Sequence, residues 1–184
     1  MAGEQETRTN LKYALLGYLP GDKPLLEDLG IDFSAIKRNS MKVFFSKEAQ
    51  FSNDFVGPLL FLALFGLLMV IRGRVYFGYL YYLAIISSVF IYALTLLMTN
   101  AEIDLGVVTI LGYAFIPVLI FSFTTIALPV SKGLKIALGM LFAFWSTYIS
   151  ATEVTSRYNL QNKFLLLAYP MVLVYICFII ISIV

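Results

Sequence analysis

Two regimes of polarity divide the chain. Up to Asn53, charged and polar residues interrupt every apolar run, whereas from Asp54 onward apolar stretches are broken only by brief charged or turn-like segments. A helix needs about 20 apolar residues to cross the hydrocarbon core. The breaks divide the second regime into five stretches near that length, at roughly 55–71, 75–98, 107–129, 134–151 and 164–184. Connections this short predict that consecutive helices are antiparallel neighbours, and an odd number of spans places the termini on opposite sides. The predicted fold class is an all-α membrane protein, a five-transmembrane-helix bundle with a short cytosolic N-terminal region that contains an amphipathic helix.

Ahead of the spans the pattern changes twice. Residues 1–23 read as a flexible tail ending at the Pro20-Gly21 turn signal. Residues 24–53 hold an acidic motif and an amphipathic segment, and residues 54–184 form the membrane domain. In the acidic motif Leu25, Leu26 and Leu29 share one apolar face, with Glu27 and Asp28 beside it. A charged pair next to an apolar face suits docking into a partner groove; the same acids also solvate and cap a helix with no partner. From Asp32 the period becomes helical, with Phe33, Ile36, Ser40, Val43 and Phe44 at three- and four-residue steps and Lys37, Arg38 and Lys42 elsewhere on the wheel. Such a helix lies either on an anionic membrane surface or against the protein's own spans.

The entry into the first span is Asp54-Phe55-Val56-Gly57-Pro58. A short acceptor side chain there satisfies orphan amide groups, Pro58 falls in the first turn where its missing N–H costs little, and Gly57 permits close approach. Within the fourth span Gly139, Ala143, Thr147 and Ala151 recur every four residues, a small-residue face for helix packing. Pro117 and Pro170 are expected to interrupt the third and fifth spans. Lys37, Arg38, Lys42, Lys47, Arg157 and Lys163 fall on one side of the membrane against Arg72, Arg74, Lys132 and Lys135 on the other, which predicts a cytosolic N-terminus.

Composition narrows function by exclusion. At 60% hydrophobic and 13% charged residues the chain is outside the range of soluble domains, about 45–50% and 25%. A net charge of +2 with scattered basic residues gives no nucleic-acid surface. The absence of histidine and the single Cys177 leave no zinc site or disulfide framework within the chain. No ionisable residue is expected at mid-membrane and no catalytic constellation is visible, so neither an enzyme nor a cofactor is expected. The rival to a trafficking adaptor is a small-molecule or lipid transporter that uses the Pro-broken third and fifth spans.

Three segments together resemble the Yip family of five-span membrane proteins, named for interaction with Ypt/Rab GTPases. Asp54-Phe55-Val56-Gly57-Pro58 is similar to that family's Asp-Leu-x-Gly-Pro, with Phe55 in place of the usual Leu. Gly112-Tyr113-Ala114-Phe115-Ile116-Pro117 matches its Gly-Tyr-x-x-x-Pro signature. The segment from Pro24 to Phe33 looks like the acidic motif of the founding subfamily, with Asp28 in place of a second Glu, and Arg74 resembles a basic position of that subfamily. The resemblance implies a non-enzymatic, multi-pass protein of endoplasmic reticulum and Golgi membranes that acts in vesicle budding and traffic. It implies as partners prenylated Rab/Ypt GTPases, a Yif-type five-span protein and vesicle coat components. Asp54, Gly57, Pro58, Gly112, Tyr113, Pro117, Gly139 and Ala143 are the expected motif and packing residues, and Leu25, Leu26, Glu27, Asp28, Leu29 and Arg74 the expected partner-binding ones.

Overall fold

In a bilayer, apolar segments leave backbone N–H and C=O groups no partner but each other, which selects helices. The computed structural model of the chain describes residues 33–45, 51, 54–73, 77–99, 104–127 and 131–183. Among these, seven α-helices follow in order: α1 (Phe33–Phe45), α2 (Val56–Ile71), α3 (Phe77–Met98), α4 (Gly106–Tyr113), α5 (Ile116–Ala127), α6 (Lys132–Arg157) and α7 (Phe164–Ile183), with one 3₁₀ turn at Gln161–Lys163. The first three residues of α1 belong to a separate N-terminal unit; everything from Ile36 onward forms one compact unit.

Among the described residues four segments are long and apolar enough to cross a membrane: Gly78–Met98, Gly106–Ile126, Lys132–Arg157 and Gln161–Ile183. The helix α2 is apolar but only 16 residues long, about 24 Å at 1.5 Å per residue. The protein is therefore a multi-pass helical membrane bundle. Its axis is the α4–α5 segment, whose window is 72% buried against 22% for α3. Around that axis α6 packs most extensively on α7, while α2 leans on α4 and α5.

Three features depart from the sequence expectations. The fourth helix does not stop near Ala151 but continues to Arg157, because Asn159 adopts a left-handed conformation (φ 54°) and closes the helix there. The Leu160 N–H then donates to the Thr155 carbonyl (2.8 Å), the bond that marks a Schellman end. The proline in the last span, Pro170, lies inside an unbroken α7, whereas the third span is broken at Ala114–Phe115, just ahead of Pro117. Finally, α2 and α3 are consecutive yet touch only lightly, since α2 makes its main contacts with α4.

Candidate functional site

Every conspicuous polar contact at the start of α2 converges on Asp54. Its carboxylate accepts the N–H of Val56 (2.9 Å) and of Gly57 (3.3 Å). The formal N-cap position is Phe55, which has no capping side chain, so the carboxylate of the preceding residue reaches over it. A phenol completes the arrangement: Tyr113 Oη donates to Asp54 Oδ2 at 2.6 Å, and Thr109 Oγ1 donates to the Asp54 carbonyl at 3.1 Å. Asn39 of α1 also hydrogen-bonds the Tyr113 hydroxyl.

Two glycines make the approach possible. A Cβ on Gly57 would lie 2.3 Å from Tyr113 Oη, and one on Gly112 would lie 2.2 Å from the Pro58 Cβ. The neighbours that need the space are thus a phenol at Gly57 and, at Gly112, the Pro58 ring together with its backbone Cα at 2.8 Å. Tyr113 is fully buried, stacked on Phe51 (5.4 Å between centroids, 6° between planes) and met edge-on by Phe61 at 5.6 Å. The two motifs, one at the mouth of the first span and one in the axial helix, form a single clasp.

A second layer of charge backs the clasp. The Phe51 N–H donates to Glu153 Oε1 (3.3 Å), and Arg157 Nη1 donates to the Phe51 carbonyl (3.2 Å). Arg157 also pairs with Asp104 at 2.7 Å, and the Tyr158 hydroxyl donates to the same carboxylate. Burial and the adjacent Asp104 push the Tyr158 phenol well above its ordinary range. At the opposite end of the bundle the Arg72 guanidinium donates to the carbonyls of Ser182 and Thr125.

The structure brings together Asp54, Gly57, Pro58, Gly112 and Tyr113. Pro117 opens α5 just beyond the break, buried in the core. Gly139 and Ala143 are on another seam, where a Cβ on Gly139 would meet Ile179 Cγ2 at 2.6 Å and Phe121 Cζ at 3.2 Å. Leu25, Leu26, Glu27, Asp28, Leu29 and Arg74 lie outside the described residues. The apolar stretches 134–151 and 164–184 leave Glu153 and Arg157 in the connection between them, whereas both lie in α6. Their signal was the spacing Ser146, Ser150, Glu153, Arg157, a polar stripe at helical period whose first three members are buried.

The profile of the Yip1 domain matches residues 39–182, which takes in both halves of the clasp. The chain belongs to the Yip1 family. Within that family it is similar to the protein of Saccharomyces cerevisiae named Protein transport protein YIP1, at 33% identity over 177 residues, covering 88% of this chain and 71% of the relative. No solved structure matches. In this Yip1-family chain the clasp therefore joins two of the three stretches that carried the family resemblance. Its chemistry is that of a lock: the carboxylate is used up on two amides and one phenol, and the phenol is walled in by aromatic rings.

Proposed function

We propose that this protein is a non-enzymatic membrane adaptor in vesicle-mediated transport between the endoplasmic reticulum and the Golgi. In this reading it associates through its N-terminal region with prenylated Rab/Ypt GTPases, and through its spans with a Yif-type five-span protein, with coat components joining during budding. The N-terminus is cytosolic, and residues 24–53 act as the docking region of a membrane domain that spans 54–184. The observation that carries the reading is the family membership together with the clasp. A fold that spends its two signature motifs on holding α1, α2 and α4 together is built to present the segment ahead of the first span. Among the described residues the cleft between α2 and α3 is lined mainly by apolar side chains, with Ser87, Ser88 and Tyr175 the polar ones, which suits a polar transported solute poorly.

The test is recovery of partners from mild detergent, with mass spectrometry of the co-purifying proteins. A Rab-class GTPase and a five-span relative are expected with the unaltered chain, and loss of the GTPase with Asp28→Lys. Recovery of neither from membranes that contain both would overturn the proposal.

A further inference from the structure

The light contact between α2 and α3 leaves a gap. It is a cleft of about 330 Å³, walled by α2 on one side, α3 on the other, and the α4 and α7 side chains at its back, where Phe115, Tyr175 and Phe178 are buried. Its rim is open sideways: Leu59, Ile85 and Val89, one from α2 and two from α3, are each 62% exposed. The walls belong to apolar, membrane-embedded helices, so the phase outside the opening is hydrocarbon and not water.

We infer that this cleft binds one acyl chain of a bilayer glycerophospholipid. Two of the hydroxyls on its lining are already committed. Ser87 Oγ donates to the Ala84 carbonyl (3.1 Å), and Tyr175 Oη donates to the Leu111 carbonyl (3.2 Å), so both protons are spent within the protein, and Ser88 is the third hydroxyl of an otherwise apolar lining. Left unfilled, the lining would forfeit its dispersion contacts on one side, which close-packed interiors avoid. The volume is at the low end of ligand sites, about 300–1,000 Å³, and suits one chain. The direction of entry is set by α2: the lining begins at Phe55, at the start of the span, and reaches Leu62, about 10 Å further along the helix. A lipid of the leaflet on the Phe55 side would keep its headgroup at the surface and lay its tail inward. The floor is built on the Pro58–Gly112 contact, so the clasp and the cleft share a wall. The inference stands whether or not the trafficking role does.

The experiment uses the full chain in nanodiscs of phosphatidylcholine doped with phosphatidylcholine that carries a diazirine on one acyl chain. After irradiation, labelled peptides are mapped by mass spectrometry. Label is expected to concentrate on residues 84–89 and 108–115 and to fall at least five-fold there in Leu59→Trp, which blocks the rim, and in Ala84→Phe, which fills the cleft. Label on the outward Phe144 should stay unchanged. Leu59 is exposed, so its replacement leaves the fold intact even if Ala84→Phe does not, and melting curves verify this. Label spread over the cleft and the outer face of α6 in proportion to exposure would overturn the inference. So would cleft labelling untouched by Leu59→Trp, or displaced by an equimolar sterol or isoprenoid alcohol.

Discussion

Removing one oxygen tests the clasp. Tyr113→Phe keeps the stack on Phe51 and deletes the hydroxyl's bonds to Asp54 and Asn39. Bonds to charged groups are worth about 1.5–3 kcal/mol in soluble proteins, but interhelical bonds in membranes average about 0.6; a loss of about 1 kcal/mol is expected, read as a lower melting temperature in detergent. Asp54→Ala should cost more, because it strips the cap from α2 as well, about 1 kcal/mol in its own right. In the double variant the two losses should overlap, since both remove the same contact; strict additivity would show that Asp54 and Tyr113 act separately. At this scale much was legible. A carboxylate ahead of an apolar run, followed by Gly-Pro, reads as a helix start from chain chemistry alone. Its partner was not legible, because nothing local ties Asp54 to a phenol 59 positions later. Glu153 was misplaced for the opposite reason, since a carboxylate and an arginine just beyond an apolar run look like a loop until Asn159 is recognised as the stop.

Among elements, the glycines separate packing from mere flexibility. Gly112→Ala would push its methyl into the Pro58 ring and Gly139→Leu would drive α6 off Ile179, whereas Gly78 and Gly133 face open space. Thermal melts should rank them: Gly112→Ala and Gly139→Leu strongly destabilising, with model helix pairs losing about 1–2 kcal/mol, and Gly78→Ala and Gly133→Ala neutral or stabilising by up to about 0.5–1 kcal/mol. If Gly139→Leu and Ala143→Leu both left melting and partner recovery unchanged, that face would not be a packing seam. The five apolar stretches were readable because length and hydrophobicity decide membrane entry. The arrangement of the helices was not, because composition does not say that the third stretch is central or that α2 prefers α4 to α3. Those choices follow from which small residues meet which rings.

For the whole molecule, the bundle has two differently built ends. One gathers Glu153 and Arg157 on Phe51, with Asp54, Asp104 and Tyr158 at the same end; the other is held by Arg72. The proposed topology puts the first end in the cytosol. Protease added to sealed microsomes should remove a tag at the N-terminus and spare one at the C-terminus; the reverse result would refute the orientation. The acidic motif is tested separately: Asp28→Lys should abolish complementation of secretion while leaving expression and insertion normal, since an exposed dipole contribution is worth only about 0.3–1 kcal/mol. Normal secretion would reduce that motif to a solvated helix.

The contact of Arg72 with Ser182 also sets an order of assembly. The guanidinium emerges at the end of the first apolar helix, yet one of its acceptors is supplied by the last turn of the final one. During synthesis the Thr125 acceptor arrives with the α4–α5 segment, two membrane segments later, and the Ser182 acceptor with α7, four segments later. Docking of α7 thereby supplies a carbonyl acceptor to a cation laid down at the end of the first apolar helix, and a bundle without α7 lacks that acceptor.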